Sequence, residues 1–153
     1  MKTIKILFYT SMVVLFAACN SKTNNESSTK SDSKDSVQMS SKQAVVMIYN
    51  FHLTNRCPTC RAIEAGARKT LDTYFKTEVK EGRIKFFVLN VDDKANDKIS
   101  EKYQAAGSGL FVTRFFQGKE QTKDFTEDGF SYARNDEAKF VEMLKKQISE
   151  YLK

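Results

Sequence analysis

Charge of one sign, long apolar runs, histidine and proline are all scarce in this chain of 153 residues, and each scarcity excludes something. The formal charge is +6, of which Lys2 and Lys5 at the extreme N-terminus supply two, leaving +4. Lysines and acids alternate through the later part (Lys76, Glu78, Lys80, Glu81; Lys145, Lys146, Glu150), which describes a mixed solvated surface and not a phosphate-tracking stripe. Nucleic acid is therefore not an expected partner. The one extended apolar run, residues 6–16, is too short to span a bilayer comfortably. His52 is the only histidine, so no site built on several imidazoles is available. Pro58 is the only proline. The length itself leaves room for one domain and not two.

What is present at the N-terminus is an address. Lys2 and Lys5 precede the apolar run, and Ala17-Ala18-Cys19 follows it, giving a charged region, an apolar region and small residues before a cut site. This is the pattern of an exported chain. Cys19 directly after Ala17-Ala18 resembles the lipobox of bacterial lipoproteins, with Phe16 where leucine is usual. The resemblance implies a leader over residues 1–18, cut before Cys19, and a lipid on the Cys19 thiol that anchors the chain to a membrane. Consuming Cys19 leaves Cys57 and Cys60 as an even pair. From residue 20 to about 42 the chain is Ser, Lys, Asn, Thr and Asp with almost nothing apolar, too little to repay ordering entropy. A flexible tether over residues 19–42 is expected, with a mean reach of about 25–30 Å.

The globular part is expected over residues 43–153. Residues 44–51 are apolar and β-branched or aromatic, as in a strand buried on both faces. A helix is expected to open at the Cys57-Pro58-Thr59-Cys60 run, because proline suits the first helical turn, and to continue to about Lys80, ending near Gly82. Residues 84–91 read as a second strand and residues 95–105 as a short helix with Ile99 and Tyr103 as its inward pair. Residues 110–116 read as a third strand, turned by Gln117-Gly118-Lys119 into an edge strand at 121–125. A final amphipathic helix is capped by Asp136 and carries Phe140, Val141, Leu144, Ile148, Tyr151 and Leu152 inward. The phenylalanines among these segments are expected in the core, since a stacking platform for bases would need a basic groove.

A buried strand leading to Cys-x-x-Cys at a helix start, within the order βαβαββα, resembles the thioredoxin superfamily over residues 44–152. That resemblance implies an α/β, three-layer fold with a central mixed sheet of about four strands flanked by helices. Cys-Pro-x-Cys is similar to the glutaredoxin branch. A thiol at a helix N-terminus sits in the positive end of the macrodipole, where the thiolate is favoured. Cys57, flanked by Arg56, is the expected nucleophile, and Cys60, one turn further in, the expected resolving thiol. Pro58 and Thr59 form the stiff loop between them. Glu64, one turn after Cys60, is a candidate proton acceptor or a plain solvated acid. Two departures from the thioredoxin pattern stand out. Ser108 and Gly109 occupy the loop where thioredoxins place a cis-proline, and Asn50 stands near their buried aspartate.

The resemblance implies thiol–disulfide exchange or electron relay in the bacterial cell envelope, with no cofactor beyond the dithiol. Its partners would be proteins with disulfides or dithiols, electrons arriving from a membrane thiol carrier or another periplasmic thioredoxin-like protein. The alternative is a copper or zinc protein using Cys57, Cys60 and His52, for which zinc would be a ligand short. A purely structural Cys57–Cys60 staple is the weakest reading, because so short a loop gains little from closure.

Overall fold

The computed structural model describes residues 43–153, so the leader, Cys19 and the Ser-rich segment lie outside the described residues. Ten elements follow in order: β1 (Val45–His52), α1 (Pro58–Tyr74), α2 (Lys76–Lys80), β2 (Ile84–Asn90), a 3-10 turn (Lys94–Asn96), α3 (Asp97–Lys102), β3 (Gly109–Phe116), β4 (Lys119–Asp124), α4 (Thr126–Tyr132) and α5 (Glu137–Tyr151). The sheet has four strands in the order β2-β1-β3-β4. β1 runs parallel to β2 and antiparallel to β3, and β4 is antiparallel to β3. Among the described residues no helix is long and apolar enough to cross a membrane.

β1 is central because both its faces can be buried, as its composition predicts. Val46 and Ile48 pack with Ile63, Ala67 and Leu71 of α1 and Phe140, Leu144 and Ile148 of α5. Tyr49 and Phe51 point the other way, into an aromatic cluster with Tyr103, Phe87 and Phe111. The rings of Tyr49 and Phe87 stack at 5.1 Å, and Phe51 meets Phe111 edge-on at 5.7 Å. Phe86, Phe87 and Phe111 pack in the core, as expected, whereas Phe115 and Phe116 belong to neither cluster and Phe130 is exposed. Tyr103 is buried and Ile99 packs beside it, so the inward pair read from sequence holds. Thr113, fully buried in β3, is satisfied by the Tyr103 hydroxyl at 2.8 Å and Thr122 at 2.9 Å.

Four boundaries differ from the sequence reading. The helix expected from the dithiol to Lys80 breaks at Phe75, whose backbone leaves the helical region (φ −132°) while its side chain is buried in the main cluster. Core burial of one large ring outweighs continuation of the helix, and α2 carries no buried residue. The helix expected over 95–105 is a 3-10 turn followed by the shorter α3. β4 begins two residues early, at Lys119, because Gln117 and Gly118 both adopt positive φ (50° and 73°) and close a two-residue hairpin. Phe125 falls after β4, where it is buried and its N–H bonds the carbonyl of Leu110 at 2.7 Å. Every side chain of β4 is exposed and polar or charged, a usual guard on a sheet edge.

α4 was not expected at all. The Asp124 carboxylate accepts from the N–H of Thr126 at 2.7 Å, and Glu127 and Asp128 occupy the first turn, where acids favour a helix start. Gly129 lets α4 press against Ile63 of α1: an added Cβ would lie 3.0 Å from the isoleucine side chain.

Candidate functional site

β1 delivers the chain to the C-terminal edge of the sheet, and four residues then lead to Cys57 at the start of α1. That connection is pinned at Thr54. The Thr54 N–H donates to Asp92 Oδ2 at 2.8 Å and the Asn90 amide donates to Thr54 Oγ1 at 3.0 Å, tying the loop to the end of β2. Those Thr54 hydrogen bonds hold the Asp92 carboxyl below its usual range. His52 Nδ1 lies 2.9 Å from the carbonyl of Leu53.

Cys57 is the N-cap of α1. Its sulfur accepts from the N–H of Cys60 at 3.0 Å, so one of the unpaired donors of the first turn is directed at the sulfur expected to attack. Cys57 and Cys60 are joined as a disulfide with their Cα atoms 5.1 Å apart. Cys57 is half-buried and Cys60 is 7% exposed, the asymmetry that an attacking and a resolving thiol require. Pro58 occupies the first helical position, where its missing N–H costs nothing, and Thr59 follows on the same turn. No acidic residue stands in that first turn to oppose a thiolate.

The helix start, the central parallel pair and the antiparallel hairpin beyond it now stand in one arrangement. The fold is thioredoxin-like. No family model and no curated protein matches the chain. Among solved structures, the X-ray structure of Fasciola hepatica thioredoxin is 19% identical, with a TM-score of 0.41, covering 67% of this chain and 80% of that one. A second, described as a malarial protein, is 16% identical with a TM-score of 0.39, covering 65% of this chain and 96% of that one.

Glu64 is neither a free base at this thioredoxin-like dithiol nor a solvated acid. Its carboxylate sits between two guanidiniums, 2.5 Å from Arg56 Nη2 and 2.7 Å from Arg68 Nη2, with only 15% of its side chain exposed. Burial raises its pKa, but the hydrogen bonds and charges of Arg68 and Arg56 outweigh that and hold the carboxyl below its ordinary range. A carboxylate held this way is a poor proton acceptor for Cys60, and its service is to fix Arg56 beside Cys57. Glu64→Gln is expected to lower stability by about 1 kcal/mol at about pH 7, from the loss of a two-armed ion pair. A carboxyl with a lower pKa folded than unfolded stabilises above its unfolded value, and that contribution fades as pH falls through the folded one. Urea titrations at about pH 7 and about pH 3 should therefore show the loss shrinking with acid, and an equal loss at both would contradict the clamp.

Asn50 lies where the thioredoxin pattern places an acid. By the alternation of β1 it shares the face of Val46 and Ile48, beneath α1. It is 2% exposed, and its Nδ2 has no hydrogen-bond partner among the described residues. A buried unpaired amide destabilises, so Asn50→Leu, close in size, is expected to raise the unfolding free energy by about 1 kcal/mol, read from the urea midpoint. A lowered midpoint would show that the amide has a partner in solution.

The cleft in front of Cys57 is lined by Thr54, Asn55, Arg56, Cys57 and Arg61, and not by Ser108 or Gly109. Gly109 opens β3 opposite Phe51, and a Cβ there would meet the Phe111 ring and Thr126 Oγ1 at 3.0 Å. Among the described residues every peptide bond is trans. The loop is thus shaped by packing against α4, a role the sequence comparison with the proline pattern did not suggest. Among the described residues no three of His, Cys, Asp and Glu gather to hold an ion, and His52 Nδ1 lies against the Leu53 carbonyl. Arg61, whose charge near the dithiol is plain from its place after Cys60, lines the cleft, while Thr54 and Asn55 were missed as site residues. Their only signal was proximity in sequence to Cys57.

Proposed function

We propose that this protein is a thiol–disulfide oxidoreductase or electron relay, working from the bacterial cell envelope on a lipid anchor at Cys19. The observation that carries the redox reading is the Cys57–Cys60 disulfide at the start of α1, with the Cys60 N–H on the Cys57 sulfur and a cleft open before it. In the reduced form the Cys57 thiolate attacks a partner disulfide, the partner's S–S bond breaks, and the departing thiolate takes up a proton. Cys60 then gives up its proton and attacks Cys57, releasing the second partner thiol and closing the Cys57–Cys60 bond. Two electrons and two protons pass to the partner, and a dithiol donor such as a membrane thiol carrier returns them. The envelope location rests on the leader and on Ala17-Ala18-Cys19.

Titration of the full chain in thiol buffers tests the redox reading. A single two-electron transition is expected, absent in Cys57→Ser. A midpoint near about −270 mV would make the protein a reductant and one near about −120 mV an oxidant. A disulfide that stays closed against excess dithiothreitol would defeat the proposal. For the anchor, growth with a palmitate probe should label the wild type and not Cys19→Ala.

A further inference from the structure

The charges around the Cys57 cleft are unevenly matched. The cleft, about 620 Å³, is lined by two arginines, a threonine and an asparagine beside the cysteine, and by no carboxylate. Arg56 is answered by Glu64, but Glu64 also serves Arg68, so that cluster keeps one positive charge in excess. Arg61 has no carboxylate paired with it among the described residues. Its Nη2 donates instead to the carbonyl of Arg56 at 2.8 Å, which holds the guanidinium against the backbone just before Cys57. That bond uses one of the five N–H donors of a guanidinium, and leaves a planar fork suited to a carboxylate. Asp92, just beyond β2, does not line the cleft, and its carboxylate accepts from the Thr54 N–H.

Resting on the thiol-exchange reading above, we infer that the preferred partner disulfide carries an acidic residue beside its half-cystine, bound by Arg61 as Cys57 attacks. A disulfide approaching the Cys57 thiolate meets a fixed cation with free donors, in a cleft whose lining holds no carboxylate. The ionic contact is made close to the reacting sulfurs, so it selects among partners at the exchange step itself. Being partly exposed, it is also screened by salt.

Reduced full-length protein would be mixed with peptide disulfides identical except for glutamate or lysine on both sides of the half-cystine. Dithiodiglycolate serves as a small carboxylate-bearing disulfide. The glutamate peptide is expected to react about fivefold faster than the lysine peptide at low salt, the ratio that about 1 kcal/mol supplies. The ratio should shrink toward one at about 1 M salt. Arg61→Gln should abolish it, whereas Lys80→Gln, an exposed cation on α2 away from the cleft, should preserve it. Using a ratio cancels any general effect of Arg61 on the reactivity of Cys57. Equal rates for the two peptides in the wild type, or a preference that survives Arg61→Gln, would overturn the inference while leaving thiol exchange intact. Dithiodiglycolate reacting faster than the glutamate peptide would overturn the protein source and assign the carboxylate to a small disulfide. Failure of every disulfide to react, with the dithiol confirmed reduced, would overturn both readings.

Discussion

Cys60→Ser is expected to turn the protein into a covalent trap. Attack by Cys57 needs only its own thiolate, and the features that favour that thiolate survive the substitution: the Cys60 N–H on the sulfur is a backbone donor, the helix start is unchanged, and the first turn holds no acid. Release is what fails. Resolution requires a second sulfur already placed against the first, and the Cα separation of 5.1 Å puts Cys60 within bonding reach of Cys57 without rearrangement. A well-oriented intramolecular thiol has an effective molarity of about 10⁵ M or more, against millimolar thiols in solution. The mixed disulfide should therefore outlast that of the wild type by a factor of at least about 10³ and be recovered on non-reducing gels as a shifted band that dithiothreitol collapses. Cys57→Ser should give no band, because Cys60 is only 7% exposed and cannot meet a partner. Bands of equal strength from the two variants would reverse the assignment of attacking and resolving thiols.

The parts of this site that were legible in the sequence are those set by local rules. Pro58 at a helix start, two cysteines one turn apart and a buried strand just before them place the dithiol correctly, because each obeys a short-range preference. The burial of both faces of β1 was legible for the same reason, from its continuous apolar run. What escaped depended on contacts between distant segments. Glu64 has the spacing of a plain helix acid, and only the turn of the chain at Asn55 and Arg56 brings a second guanidinium onto it. Phe75 has no helix-breaking chemistry, and it breaks α1 because the core claims its ring. α4 is short and contains a glycine, so its periodicity is weak, although Asp124, Glu127 and Asp128 mark its start in retrospect.

The same tension between local preference and long-range packing decides the second large effect, at Gly66. Glycine in the middle of α1 is locally unfavourable, and on helix propensity alone Gly66→Ala should stabilise by about 1 kcal/mol. The tertiary contact opposes this. α1 and α5 cross so closely here that an added Cβ would lie 2.7 Å from both Cδ1 and Cε1 of Phe140, a ring with no solvent exposure and neighbours on every side. The ring cannot swing out. Relief must come from separating the helices, which loosens Ile63, Leu144 and Ile148. Overpacking of this kind costs about 1–3 kcal/mol, and the separation removes dispersion contacts as well, so the net expected change is a destabilisation of about 1–2 kcal/mol. Phe140→Ala removes the obstacle but also a fully buried ring, at about 3–5 kcal/mol, a large part of the stability of a domain this size. The decisive measurement is the double variant. If the clash governs, Gly66→Ala should cost little or become favourable in a Phe140→Leu background, giving a coupling of at least about 1 kcal/mol in urea denaturation. Additive losses would mean that Gly66 is required for some other reason than the close approach of these two helices.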